Sequence, residues 1–244
     1  MAFLTLQMRS EVLNKAVGVN VVLNQQAKPP YPTIYLLHGL SDDYTQWTRA
    51  TSIERYANQY PFLIVMPDGD RSFYCDTPVA KYETFIGREL PAFIDKLFPT
   101  RKQSKFRAAA GLSMGGYGAL KLGLKYPNTF GVTASHSSAF GFAHENNEKR
   151  GWIPEMPGLA EILNVPGNDV FALAEKCPKS KLPKIYFDCG KKDHQFRPNE
   201  KLHAHLSKLK IKHAYRTFPG DHSWAYWDEH IQDSLRFIAE AMNV

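Results

Sequence analysis

From Thr33 onward the chain repeats one pattern, a short apolar run followed by a stretch with helical spacing, and that pattern leaves little choice of architecture. The apolar runs cover residues 33–37, 62–66, 106–110, 131–135, 184–188 and 212–218. Helical stretches fall near 51–59, 80–97, 115–125, 198–209 and 224–242. Strands that are apolar on both faces must be covered on both faces, and intervening helices provide that cover. A mostly parallel central sheet with helices on each side is therefore expected. Two earlier β-rich runs, 3–8 and 17–23, are joined by a short polar stretch and read as antiparallel opening strands. At 244 residues the whole chain, 1–244, fits one α/β domain. One segment breaks the rhythm: residues 139–180, rich in Gly, Pro and Asn, read as an insertion, and long insertions in compact domains often border binding sites.

Composition excludes several classes. With 43% hydrophobic and 22% charged residues the chain is that of an ordinary globular protein. The net charge of +6 is spread along the sequence, and its densest basic run, Lys201 to Lys212, alternates with Leu202, Leu206 and Leu209 as a solvated helix face would. Nucleic-acid binding is accordingly not expected. Three cysteines, Cys75, Cys177 and Cys189, show neither a CxxC pair nor metal-ligand spacing, so no disulfide framework and no metal site are expected. No apolar run approaches the ~18 residues of a membrane span, and residues 1–10 lack the marks of a secretory signal. A cytoplasmic location without membrane contact is the expectation.

The chemistry centres on Gly111-Leu112-Ser113-Met114-Gly115, a G-x-S-x-G sequence between a strand of small residues and a helix containing Tyr117, Leu120 and Leu124. A serine on a sharp strand-to-helix turn projects its hydroxyl above the sheet, and the crowded backbone demands small neighbours. The helix also points its amino end at the place where negative charge would develop. Serine needs a histidine to take its proton and a carboxylate to hold that histidine in the right tautomer. Asp193, in the loop after the strand ending at Cys189-Gly190, and His222, in the loop between the last strand and last helix, follow Ser113 in the order Ser, acid, His. Asp188 is the rival acid, but it lies within a strand and would face a helix layer. Of the remaining histidines, His203, His205 and His230 fall on helices and His213 begins a strand, whereas His194 is placed to line an entrance and His136 to touch the site. Donors for an oxyanion are the backbone N–H of Met114 and that of Leu40, in the His38-Gly39-Leu40 turn.

At these residues the chain resembles the esterase branch of the α/β hydrolases, which includes tributyrin and acetyl esterases, S-formylglutathione hydrolases, feruloyl esterases and mycolyltransferases. The resemblance runs nearly end to end. It is carried by Leu36-Leu37-His38-Gly39-Leu40-Ser41-Asp42-Asp43 with Trp47, by Met66-Pro67-Asp68-Gly69, by Gly111 to Ala119, by Cys189-Gly190 with Asp193, and by Gly220-Asp221-His222-Ser223-Trp224 with Trp227. The Ser-Asp-Asp-Tyr-x-x-Trp stretch is most similar to the tributyrin-esterase group. The resemblance implies the α/β-hydrolase fold, a covalent acyl-enzyme on Ser113, and no metal or organic cofactor. It implies a small-molecule ester as substrate, with short acyl groups first, and places Asp42, Trp47, Tyr74 and Trp224 in the substrate pocket, with the 139–180 insertion forming part of it. S-formylglutathione thioester hydrolysis is the nearest alternative, then feruloyl ester hydrolysis, acyl transfer and non-catalytic binding. Family members assemble in several ways, and a homo-oligomer is the expectation. The chain departs from many relatives in the tract Gly69-Asp70-Arg71-Ser72-Phe73-Tyr74, where Asp and Phe replace a small residue and a Trp.

Overall fold

The computed structural model describes residues 1–144, 163, 165 and 167–244. Its strands are β1 (Ala2–Ser10), β2 (Lys15–Leu23), β3 (Thr33–Leu37), β4 (Leu63–Pro67), β5 (Arg107–Leu112), β6 (Val132–His136), β7 (Lys184–Gly190) and β8 (His213–Phe218). They form one mixed eight-stranded sheet in the order β1-β2-β4-β3-β5-β6-β7-β8. β1 and β2 pair antiparallel from Ala2 against Leu23 to Ser10 against Lys15, and β2 is antiparallel to β4. Every other pairing is parallel. The sheet thus has the expected fold class, with the functional loops at the carboxyl ends of β3, β5, β7 and β8.

Period-two alternation divides the side chains between two cores. Tyr35, Leu37 and Ala109 face one side, with Leu90, Ile94, Tyr117, Leu120 and Leu202. Ile34, Leu36, Ala108 and Ala110 face the other, with Trp47, Ile53, Ile231, Leu235 and Ile238. The covering helices are α1 (Gln46–Ala50), α2 (Ile53–Ala57), α3 (Tyr82–Thr84), α4 (Leu90–Leu97), α5 (Met114–Lys125), α6 (Val170–Lys176), α7 (Phe196–Lys208) and α8 (Trp224–Met242). No helix among the described residues is long and apolar enough to cross a membrane.

Two expected helices differ in detail. The stretch near 51–59 holds α2 alone, and a further short helix, α1, precedes it; extended Thr51, at φ −136° and ψ 168°, separates the two, and the Ser52 N–H is taken by the Asp228 carboxylate at 2.7 Å. The stretch near 80–97 begins at Tyr82 and passes through a π-helical turn, Phe85–Glu89, before α4. A Cβ on Gly87 within that turn would meet the Tyr126 ring at 2.9 Å. Residues 145–162, 164 and 166 of the expected insertion, including the tract Glu145 to Trp152, lie outside the described residues.

Candidate active site

β5 runs two residues further than its apolar run, so Ser113 follows the strand directly and forms the N-cap of α5. Its φ of 51° and ψ of −114° put a serine in a conformation that costs on the order of 1–3 kcal/mol. Neighbours hold it there. The Ser113 N–H donates to the His136 carbonyl at 2.9 Å, and its own carbonyl accepts from Tyr117 and Ala139 at 3.1 Å each. The flanking glycines are obligatory: a Cβ on Gly111 would lie 2.7 Å from the Leu37 oxygen, and one on Gly115 2.4 Å from that atom.

The loops after β7 and β8 are laced together. Lys191 N–H donates to Phe218 and Lys192 N–H to Gly220, each at 2.9 Å, while Asp193 N–H turns back to Gly190 at 3.0 Å. This lacing brings Asp193 beneath His222. The His222 Nδ1 lies 3.0 and 2.9 Å from the two Asp193 oxygens, and Nε2 lies 3.1 Å from Ser113 Oγ. A carboxylate has only lone pairs to offer, so the ring proton is assigned to Nδ1, and the Nε2 lone pair faces the serine. Burial raises the Asp193 carboxyl, but hydrogen bonding from His222 and the Gln195 N–H outweighs it and holds the group below the usual carboxylate range. The Gln195 bond is 2.7 Å; the Ser137 hydroxyl stands beside the carboxylate without closing a good hydrogen bond. Trp227 meets the His222 ring edge-on at 4.9 Å, fixing its plane.

Above this set opens a cavity of about 480 Å³, whose wall includes Leu40, Asp42, Phe73, Met114, Phe142, His194 and Trp224. The β3–α1 loop on its rim is tied down from two sides. His38 Nδ1 donates to the Gly39 carbonyl at 2.7 Å while its Nε2 accepts the Gly69 N–H at 2.8 Å. Asp42 Oδ2 accepts the Gly39 N–H at 3.1 Å, and a Cβ on Gly39 would sit 2.7 Å from that oxygen. Burial pushes the Asp42 carboxyl above its ordinary value despite nearby His38 and the Gly39 bond.

Three placements differ from the sequence reading. Trp47 is buried and off the cavity wall, its indole N–H donating to the Leu37 carbonyl at 3.0 Å and its ring meeting Trp224 edge-on. Tyr74 is buried under the β3–α1 loop, its hydroxyl donating to the His38 carbonyl at 3.0 Å. Its predecessor Phe73 lines the cavity instead, in a tract where Asp70, Phe73 and Tyr74 all take positive φ, near 50°. His136 touches Ser113 only through its backbone carbonyl; its ring is fully buried between Asp188 and Ser234. The sequence reading also missed Phe142, which stacks on Phe73 at 3.8 Å and edges Tyr117. The only signal for it was its place in the insertion.

Asp193, His194 and His222 bring one carboxylate oxygen and two ring nitrogens within 4.8 Å of one another.

Residues 10–238 match the family described as "Putative esterase". An acetyl esterase of Caldicellulosiruptor saccharolyticus is 30% identical over 226 residues, covering 85% of this chain and 83% of the relative. Among solved structures, the S-formylglutathione hydrolase of Staphylococcus aureus superimposes with a TM-score of 0.86 at 28% identity, covering 97% of this chain and 98% of that one. A fluorophosphonate-binding serine hydrolase of the same organism reaches 0.85 at 28% identity, with the same coverage. Fold, family match and serine-hydrolase relatives agree: the chain belongs to the esterase family of α/β hydrolases and is a serine-type carboxylic ester hydrolase.

Proposed function

We propose that Ser113, His222 and Asp193 form the catalytic triad of an esterase for short-chain acyl esters of the acetyl and butyryl kind, with the N–H groups of Leu40 and Met114 as oxyanion donors. The observation that carries this reading is the unbroken relay from Asp193 through His222 to Ser113, at 2.9 and 3.1 Å, opening into a cavity. His222 Nε2 takes the Ser113 proton as Oγ attacks the acyl carbon, and Asp193 stabilises the imidazolium. The tetrahedral oxyanion forms over the first turn of α5, where the helix dipole favours negative charge. His222 then protonates the departing alkoxide, and a water activated by the same nitrogen releases the acid. Asp42 holds the turn that presents Leu40, through its bond to Gly39.

Acyl length is set on this reading by the stacked Phe73 and Phe142 rings, which form part of the cavity wall. Thioester hydrolysis is the second reading, favoured by the likeness to the Staphylococcus aureus S-formylglutathione hydrolase. It ranks below because Asp42 is the one carboxylate among the described wall residues beside the triad and would repel glutathione, which carries two carboxylates of its own.

A panel of p-nitrophenyl esters from acetyl to dodecanoyl, with S-formylglutathione and a feruloyl ester, tests the reading. The highest kcat/KM is expected at two to four carbons, and Ser113→Ala should abolish every activity. A preference for S-formylglutathione or for long chains by about tenfold or more would overturn the substrate assignment while leaving the triad standing.

A further inference from the structure

The side chain of His194 is 65% exposed, next to Asp193, and acyl transfer as derived above gives it nothing to do. Its Nδ1 lies 3.6 Å from Asp193 Oδ1, and its ring centroid lies 4.3 Å from that of His222. We propose that Asp193, His194 and His222 form an inhibitory site for a divalent cation of the zinc class, which turns the enzyme off by capturing its base. The cation-binding half stands on the geometry alone; the inhibitory half rests on the triad reading.

Two imidazole nitrogens and one carboxylate oxygen form a donor set suited to Zn²⁺, with a fourth position left for water. Metal–ligand distances of about 2.0–2.2 Å place tetrahedral donors roughly 3.3–3.6 Å apart. The Asp193 oxygens already lie 2.9 to 3.6 Å from the two ring nitrogens that face them. The Asp193 carboxylate is buried and the His194 ring is exposed, so a cation reaches the set from the His194 side.

The consequence for catalysis follows from proton bookkeeping on one ring. A neutral imidazole has one N–H and one lone pair. When His222 gives its Nδ1 lone pair to the cation, the Nδ1 proton leaves to solvent and a proton is taken up at Nε2, so the ring stays neutral. The nitrogen facing Ser113 is then N–H and cannot accept the serine proton. The same cation takes Asp193 away from its orienting role. No redox step and no further reactant are needed.

The test uses the full chain in two arms. In the binding arm, Ser113→Ala protein is titrated with Co²⁺ as a zinc-class probe, read by its visible absorbance, and with Zn²⁺ by calorimetry. One tight site is expected, weakened about tenfold or more by His194→Asn and unchanged by His213→Asn, which breaks the separate His203–His213 contact. In the activity arm, p-nitrophenyl acetate hydrolysis by wild type should be inhibited by Zn²⁺ and restored by EDTA. The half-inhibitory concentration should rise by about tenfold or more in His194→Asn, each protein being normalised to its own metal-free rate. Equal binding and inhibition in wild type and His194→Asn, or loss in His213→Asn instead, would overturn the proposal. An inactive metal-free wild type with the binding arm intact would refute the triad reading and leave the cation site standing.

Discussion

Among the described residues stand two Ser-His-Asp relays, and they differ in everything but their hydrogen bonds. Ser113, His222 and Asp193 meet under an open cavity, at 3.1 Å and 2.9 Å. Ser234, His136 and Asp188 meet inside the core between β6, β7 and α8, at 2.8 Å for both contacts, and all three are fully buried. By hydrogen-bond length alone the buried set is the better relay. It nevertheless has no route for substrate, and Ser234 sits in the interior of α8, where backbone N–H groups are already taken by the helix. Ser113 instead caps the start of α5, in a strained turn that lifts its hydroxyl from the sheet, beside donors that the helix leaves unpaired. On the proposed triad, a hydrolytic site needs strain, unpaired donors and space in addition to three residue types.

The buried relay has a structural task. Asp188 also accepts the Tyr186 and Tyr226 hydroxyls, at 2.8 Å each, so its carboxylate is well satisfied in a place where a bare charge would be costly. Burial, then the neighbouring Asp188, pushes both tyrosine hydroxyls up, so they remain donors. The His136 carbonyl takes the Ser113 N–H and the Asp188 carbonyl takes the Ser137 N–H, at 2.8 Å for the latter. Residue by residue, the sealed set anchors the backbone on which the open set stands.

Mutation should separate the two. Ser113→Ala is expected to lower kcat by about 10⁶-fold, with the urea midpoint of unfolding nearly unchanged. Ser234→Ala should leave kcat within about threefold and cost about 1–3 kcal/mol of stability, since it strands the His136 Nε2. A kcat loss in Ser234→Ala approaching that in Ser113→Ala would break the distinction. One step down, Asp193→Asn should cost about 10⁴-fold in kcat by allowing the wrong His222 tautomer. Asp188→Asn should act on stability instead, by about 3–5 kcal/mol in urea unfolding, because it disturbs a buried charge serving three donors.

Much of the open set was legible in the sequence, because its parts lie at strand ends and in short motifs. β3 coincides with the apolar run 33–37, and G-x-S-x-G lies at the strand–helix junction its glycines require. The buried set was illegible: its partners lie 98 and 52 positions apart, on elements with no turn chemistry to mark them. His136 accordingly read as a residue near the cavity. Trp47 and Tyr74 read as pocket residues for the opposite reason, since an aromatic side chain looks the same in sequence whether it packs or lines a wall. Of two adjacent rings it is Phe73 that lines the cavity, in a tract where Asp70, Phe73 and Tyr74 take positive φ.

Two smaller effects sharpen the contrast. Phe73→Ala should shift the acyl preference by about tenfold in kcat/KM toward octanoyl over butyryl, without effect on the buried set. Acid should weaken the fold through carboxylates that the folded state holds below their ordinary values. Asp193 is one, and Glu83 is another: burial raises it, but Lys121 and Lys125 outweigh that and lower it. A carboxyl lowered on folding stabilises the protein above its unfolded value, and that contribution disappears as pH falls through the folded one. Thermal unfolding should therefore shift downward below about pH 4, and Asp193→Asn should reduce that shift.

Covalent labelling tests the central claim most directly. Incubation with a fluorophosphonate, followed by intact-mass and peptide-mapping spectrometry, should place one adduct on Ser113 and none on Ser234, with labelling slowed at least a hundredfold in a His222→Ala variant. An adduct on any other serine, or labelling of Ser113 that is indifferent to His222, would contradict the assignment.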